Sequence, residues 1–459
     1  MSGPPVRDGI DCYVYYLVLP NRDGDALLLK QAGDGWALPS FESREHRFWQ
    51  DVDHVNAAAS DLLGLDARTL RCVTADYLPE QEQVLRYYAL ERPPAGWTPP
   101  PEYAWIRRTE LAGMPMVTPG LPQVAEDWFR WQGAPPDIRV PWYRPGWFDD
   151  ADRWIRQQTE RLGLRLETAP QQLRSWQRSA IIRTGTSAGD LYFKAVPPVF
   201  AAEPLLTVAL AESRPEHLPA VVATEPQRHW LLMRDVGSAT LDSVDEIERW
   251  EAALRDFARL QIASSREVPR LLTEGVPDRR LGWLARRIEV LFEDHAAMLP
   301  DRPAGLSPEH IARLQSLAPE LRRLCHLLST YPLPATVEHG DFWPGQIVVN
   351  GERSIFIDWS DASVAHPFFS MLFFLVESED YFPKQRDTRA RLRDAYLEPW
   401  TAYASTGTLI EAFELAQPLA ALHHALVYHQ AVLPGFEIKW ELDLMVPFYL
   451  KMLLRMAGD

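Results

Sequence analysis

Cysteine is nearly missing from this chain. Three occur in 459 residues, Cys12, Cys72 and Cys325, far apart and odd in number. Such a set builds no disulfide framework and predicts reduced core thiols in a cytoplasmic protein. No apolar run approaches the roughly eighteen residues a membrane helix needs, so no membrane partner is expected. The start, Met1-Ser2-Gly3-Pro4-Pro5, lacks the basic-then-apolar order of a secretory leader. Positive charge is also short: 47 Lys and Arg stand against 63 Asp and Glu, a net charge of -16. That deficit argues against general nucleic-acid binding, which wants a basic face. It is compatible with a cationic small-molecule partner, although an acidic surface also serves solubility alone. Internal repeats and low-complexity tracts are absent as well.

What is present is ordinary globular composition, 46% hydrophobic and 24% charged, in a length that implies two or three domains. Residues 10 to 31 predict a hairpin. Cys12 to Leu19 is rich in strand formers, Pro20-Asn21-Arg22-Asp23-Gly24-Asp25 has turn chemistry, and Ala26 to Leu29 returns. A helix is expected from Asp53 to Leu63, stopped by Gly64, then strands near Leu70 to Thr74 and Gln83 to Leu90. Residues 131–150, with Pro135-Pro136, Pro141 and Pro145-Gly146 among tryptophans, predict a packed linker.

A helix near Trp154 to Arg161 should open the next region. Strands Ser179 to Arg183 and Asp190 to Val196 follow, joined by a turn from Thr184 to Gly189. A helix from Ala201 to Glu212 and a strand Trp230 to Met233 complete a β-rich lobe. Beyond Gly237 the pattern turns helical. Ser243 and Glu246 have capping-box spacing, and Ile247, Trp250, Leu254, Phe257 and Leu260 mark one buried helix face. Helices over 279–297, 308–329 and from 388 onward are expected next.

The chemistry concentrates in His339-Gly340-Asp341-Phe342-Trp343-Pro344-Gly345-Gln346 and, after a strand pair, Ile357-Asp358-Trp359. Ile347-Val348-Val349 reads as a strand, Asn350-Gly351 as a tight turn, and Ser354 to Ile357 as the return that brings Asp358 back beside Asp341 and Gln346. Buried acids without a cation would be costly. Phosphoryl transfer asks for such a set: one carboxylate to orient an acceptor hydroxyl and two side-chain oxygens for magnesium. Asp341 is the candidate for the first task and His339 for orienting the loop.

The His-Gly-Asp-x-x-x-x-Gln run followed by Ile-Asp-Trp resembles the aminoglycoside phosphotransferase and choline kinase group, which shares the protein-kinase-like fold. The resemblance covers about residues 150–459. It implies ATP and Mg2+ as cofactors and a small-molecule hydroxyl acceptor. It makes Asp341 the catalytic aspartate and Asp358 the principal magnesium ligand. Gln346 takes the place of the metal-binding asparagine, one methylene longer. It also implies that Lys194 holds the ATP phosphates and pairs with Glu203, or with Glu212. Leu232 to Gly237, including Met233 and Asp235, is then the adenine-binding hinge.

Departures from the family pattern are visible. The Thr184 to Gly189 turn has two glycines without the fuller Gly-x-Gly-x-x-Gly, and Ala365-His366-Pro367 stands where relatives often carry Gly-Asp-Pro. Asp361 matches an acidic loop position, and Glu377, Glu379 and Asp380 fall where acids would suit a cationic acceptor. His423, His424 and His429 lack metal-type spacing with carboxylates and predict helix packing or surface.

The N-terminal order of strands, Trp36-Ala37-Leu38-Pro39 and a helix ending Leu63-Gly64-Leu65 resembles a Nudix hydrolase over about residues 10–130. That family's Arg-Glu…Glu-Glu positions fall on Ala57, Ala58, Asp61 and Leu62, which leaves one carboxylate to hold a metal. The expected architecture is therefore α+β. A degenerate Nudix-like domain (1–130) and a linker (131–150) precede a two-lobed protein-kinase-like phosphotransferase domain, small lobe 151–236 and helical lobe 237–459. The expected function is transfer of the γ-phosphate of ATP to a hydroxyl. The alternative is a catalytically weak nucleotide-binding protein that acts through its N-terminal domain.

Overall fold

The computed structural model describes residues 12–458, apart from the Glu441 side chain. The Met1 to Pro5 opening and the first two residues of the expected 10–31 hairpin lie outside them. The fold is mixed α+β and divides into two compact units, Met1–Pro197 and Pro198–Asp459. Among the described residues no helix is long and apolar enough to cross a membrane.

The N-terminal part of the first unit contains two sheets that share one core. One sheet has the order Ser40–Ser43, Cys12–Val18, Gln83–Leu90, Thr69–Leu78, with Cys12–Val18 parallel to Gln83–Leu90. The other has the order Gly35–Ala37, Ala26–Ala32, Tyr103–Arg107. Val14, Val18 and Leu85 from the first sheet meet Leu27 and Leu29 from the second and Trp128 from the helix Leu121–Trp131. This corrects the expected hairpin. Cys12–Val18 and Ala26–Ala32 lie in different sheets, and only an isolated Pro20–Leu27 bridge joins their near ends. The turn does close, because Asn21 Oδ1 accepts the Asp25 and Ala26 N–H groups. Beyond it, each strand is buried over most of its length and finds other partners: Cys12–Val18 pairs with Ser40–Ser43 and Gln83–Leu90, and Ala26–Ala32 with Gly35–Ala37 and Tyr103–Arg107.

The helix Asp53–Leu63 forms as expected and ends on Gly64 in the left-handed region, whose N–H donates to Ser60 O. The proline- and tryptophan-rich segment is less of a linker than its composition suggests. A helix already starts at Trp147, after Gly146 at φ 85°, and runs to Arg161. Trp142 and Tyr143 are buried before it, and Trp142 Nε1 donates to Trp176 O.

Three antiparallel strands follow, Gln171–Trp176, Ser179–Thr186 and Gly189–Ala195. The first is stitched to the N-terminal fold by buried amides. Gln172 Oε1 accepts from Asn56 Nδ2 and from the Thr69 N–H, both at 3.1 Å, and Gln172 Nε2 donates to Thr69 O. The expected Thr184 to Gly189 loop is shorter than predicted, because the strands stay in register up to Thr186 and Gly189. Its N–H groups are spent inside the unit: Gly185 on Thr168 Oγ1, Ser187 on Arg165 O and Ala188 on Thr186 Oγ1.

The second unit opens with the helix Glu203–Ser213 and the antiparallel strands Val221–Glu225 and Trp230–Arg234. The helix Ile247–Ser264 buries Ile247, Trp250, Leu254, Phe257 and Leu260, as the spacing predicts. The Ser243–Glu246 capping box does not form. Ser243 lies in its own 3₁₀ turn and donates to Thr240 O, and Glu246 leads into the helix without a side-chain cap. The expected 279–297 helix is broken into Leu281–Ala285, Ile288–Glu293 and a turn His295–Met298, where Asp294 accepts the Ala297 N–H and starts afresh. Five longer helices, Pro308–Leu328, Met371–Tyr381, Thr388–Leu397, Thr406–Val427 and Met445–Met456, complete the unit among the described residues.

Candidate active site

A short strand, Thr336–Glu338, pairs with Ser363–Ala365 and delivers the chain to His339. Gly340 follows at φ 82°. A Cβ there would run into the Asp361 backbone, so only glycine lets the loop lie this close. His339 is fully buried. Its Nε2 meets Ile357 O at 3.0 Å and its N–H donates to Ser370 Oγ. Burial pushes the imidazole pKa below its usual value. The ring contact with the Ile357 carbonyl ties the loop to the strand end before Asp358.

The hairpin Ile347–Asn350 and Arg353–Phe356 pairs as the Asn-Gly signal predicts, with Gly351 at φ 61°. Ile357 N–H donates to Gln346 O, which binds the hairpin exit to the loop that carries Asp341. Gln346 is buried and its Nε2 lies 3.4 Å from Asp341 Oδ2. Asp358 sits at φ 61°, a left-handed backbone rarely held by a residue with a side chain. Such strain gathers where a side chain must be aimed. Ser360 Oγ lies 2.7 Å from Asp358 Oδ1 and 2.9 Å from Glu203 Oε2, so one hydroxyl links Asp358 to the start of the helix Glu203–Ser213.

Two buried acids brace the loop from behind. Glu338 is fully buried. Its Oε1 accepts from the Gly340 N–H at 2.8 Å and from Ser370 Oγ, and its Oε2 lies 3.4 Å from His423 Nε2. Burial would push its carboxyl up, but the His423 contact, the charges of His423 and His424 and the Gly340 N–H outweigh it and bring it down to about 2. Asp361 is 6% exposed, and its backbone oxygen accepts from Arg279 Nη1. Burial lowers the Arg279 pKa, while the charges of Asp361 and Glu338 oppose that shift. Sequence reasoning missed Glu338, Ser360, Ser370 and Arg279. Each is a common residue type without a motif, and only its neighbours give it a role. His423 and His424 are packed in the helix Thr406–Val427, as expected, and His423 adds its Nε2 contact to Glu338 Oε2.

On the helix Met371–Tyr381, Glu377 is half-buried and its Oε2 has no hydrogen-bond partner among the described residues. Burial and the charges of Asp341, Asp380 and Asp242 push its carboxyl up to about 7. Glu379 and Asp380 are exposed. Met233 is half-buried on the strand Trp230–Arg234, and Asp235 just beyond it accepts the Gly237 N–H. Lys194, in the first unit, lies on the strand Gly189–Ala195 opposite Ile181 and is 7% exposed. Thus the second unit brings together Asp341, Gln346, His339, Asp358 and Glu203. Lys194 belongs to the other unit.

The oxygens expected from the sequence to meet a cation are the Asp358 carboxylate, which accepts from Ser360 Oγ, and the Gln346 carbonyl. Both are hard ligands of the kind magnesium takes when phosphates and water complete its shell. The Gln346 amide nitrogen is the end turned to Asp341. Among the described residues no group of three or more His, Cys, Asp or Glu side chains is arranged to hold an ion.

Residues 206–407 match the model of the phosphotransferase enzyme family. That segment contains most of the helix Glu203–Ser213, the strand pair Val221–Glu225 and Trp230–Arg234, the loop that carries Asp341 and the hairpin after it. Several solved structures of small-molecule kinases are also similar. An ethanolamine kinase of Plasmodium vivax is 10% identical, with 66% of this chain and 85% of that chain covered and a TM-score of 0.46. A choline kinase of Cryptosporidium parvum is 12% identical, covering 68% and 92%, with a TM-score of 0.45. A macrolide 2'-phosphotransferase of Brachybacterium faecium is 14% identical, covering 68% and 98%, with a TM-score of 0.41. No curated protein matches the chain.

Proposed function

We propose that this protein is an ATP-dependent phosphotransferase that moves the γ-phosphate of ATP to a hydroxyl of a small molecule. One observation carries the reading: in the loop Glu338–Gln346 and after the hairpin that follows it, Asp341 meets the Gln346 amide, Gln346 O accepts the Ile357 N–H, and Ser360 Oγ meets Asp358. The family match over residues 206–407 supports it. Asp341 aligns the acceptor hydroxyl and takes its proton. The acceptor oxygen bonds to the γ-phosphorus as the bond to the bridging oxygen breaks, and ADP leaves. Magnesium, held by Asp358 and Gln346, would neutralise charge on the phosphates. Lys194 steadies the phosphates with Glu203 as its partner, and the backbone around Met233 and Asp235 receives adenine. His339 positions the loop.

The unpartnered Glu377 oxygen, under the charge of Asp341, Asp380 and Asp242, favours an acceptor that carries an amine. The segment 12–130 serves as a Nudix-like scaffold without hydrolase chemistry. Its two sheets support this reading, as does the exposed, isolated Asp61 on the helix Asp53–Leu63. In function the chain divides into that scaffold, the 131–150 connection, a small lobe to 236 and a helical lobe beyond.

Purified protein with Mg-ATP and a panel of amino alcohols, aminoglycosides and sugars tests the proposal. Turnover of at least one acceptor that is lost in Asp341→Ala is expected. Equal rates for wild type and Asp341→Ala on every acceptor would overturn it. A second reading, a nucleotide-binding protein without turnover, is favoured by the longer Gln346 side chain and its contact with Asp341. Thermal stabilisation by Mg-ATP with no product on any acceptor would select that second reading.

A further inference from the structure

The second unit has a cavity of about 660 Å³, within the size range of small-molecule sites. Its walls come from residues 278–287, the end of the helix Pro308–Leu328 with the turn after it, and Ala365-His366. Asp341, Gln346 and Asp358 are not among its lining residues. Arg280, Arg286 and Arg287 line it against one carboxylate, Asp278, which leaves a surplus of two positive charges (three less one) in a chain of net charge -16.

The three guanidinium groups are not equally committed. Arg280 holds Asp278 through Nε at 2.8 Å and Nη2 at 2.6 Å. Arg287 donates to Gln430 Oε1 and lies 4.8 Å from the centroid of the Trp283 ring. Arg286 is exposed and has no hydrogen-bond or ion-pair partner among the described residues, and Asp278 feels its charge only at a distance.

His366 supplies the second, independent observation. It is 6% exposed, and its Nδ1 accepts the Phe368 N–H at 3.3 Å, so the ring proton sits on Nε2. That buried Nε2 has no partner among the described residues. Burial pushes the imidazole down to about 3, so the ring stays neutral and keeps one donor. A buried donor left unpaired is unfavourable and asks for an acceptor oxygen.

We propose that this cavity binds a small organic oxyanion. Its charged oxygens would sit among Arg286, Arg280 and the His366 Nε2–H, and its apolar body along Trp283. The head group is either a carboxylate or a phosphate monoester. The site uses none of the phosphotransfer residues, so it stands whether or not that activity is found.

Isothermal titration of the full chain with phenylacetate and with phenyl phosphate, without nucleotide or magnesium, tests this. At least one probe should bind wild type with a Kd below about 1 mM. Arg286→Ala should weaken that binding about tenfold or more, because a charge-assisted contact is lost. His366→Phe, with folding checked by circular dichroism, should weaken it too, and Asp358→Asn should leave it unchanged. The probe that binds identifies the head group. No binding of either probe, equal binding to Arg286→Ala, or loss of binding in Asp358→Asn would overturn the proposal.

Discussion

The helix end Leu63-Gly64 in the first unit and the loop His339-Gly340-Asp341 in the second both turn on a glycine in the left-handed region, at φ 63° and 82°. Around Gly64 nothing lies within 4 Å of where a Cβ would stand, whereas around Gly340 the Asp361 backbone fills that place. The polar groups differ in the same way. Near the first turn Asp61 faces solvent, and the buried amides, Asn56 with Gln172 and Thr69, serve only to join strand to helix. Near the second, Glu338, Ser370, His423 and Arg279 all pack behind the segment that carries Asp341 and Asp358. The lesson is that the same left-handed glycine turn serves an open helix end and a crowded loop. Dense polar bracing behind a loop marks the region where side-chain position matters.

That contrast can be broken experimentally. The largest expected effect is on turnover: Asp341→Ala should cost roughly 10²–10⁴-fold in kcat with the best acceptor found, and Asp61→Ala should leave it unchanged. A comparable loss in both variants would erase the distinction. The next effect is on stability. Gly340→Ala adds a Cβ in a left-handed backbone against a fixed neighbour and should cost about 3 kcal/mol or more, and Gly64→Ala about 1 kcal/mol, measured by urea denaturation. Similar values at both sites would mean that the Gly340 loop can give way.

Smaller is a pH effect. Because Glu377 titrates near pH 7 when folded, KM for an amine-bearing acceptor should fall several-fold as pH rises from about 6 to about 8, and Glu377→Gln should flatten the profile. The stability sign runs the other way. A carboxyl raised from 4.5 to about 7 favours the folded state fully at low pH, and that contribution is lost as pH rises through about 7. The smallest effect is expected from Gln346→Asn, a change of at most several-fold in kcat in either direction, since both residues offer a carbonyl oxygen. A large gain would show that the longer side chain holds the activity down.

The parts legible in the sequence were those set by near neighbours. Asn350-Gly351 closes the hairpin between Ile347–Asn350 and Arg353–Phe356 because an Asn-Gly turn needs nothing from elsewhere. The helix Ile247–Ser264 shows its buried face because its period is local. The failures share the opposite cause. Cys12–Val18 looked like half of a hairpin, yet it pairs in parallel with Gln83–Leu90, some seventy positions away, which no local signal encodes. Ser243 has the spacing of a helix cap, but its hydroxyl finds the nearer Thr240 carbonyl. The broken helix over 279–297 was hidden because its apolar spacing persists while Asp294 restarts the backbone.

By itself the sequence determined which acids stand at which spacing, where the tight turns fall, and that Gln346 replaces asparagine in the run that resembles a phosphotransferase. Tertiary structure alone decided that Gln346 reaches Asp341, that Ser360 links Asp358 to Glu203, and that Glu338 and Arg279 are buried behind the loop. It also put His366, whose Nε2 is buried without a partner among the described residues, among the residues that line an arginine-rich cavity. The physical reason is range. Turns and helical periods are settled by neighbours along the chain, while burial, hydrogen-bond satisfaction and electrostatic coupling depend on residues that meet only after folding.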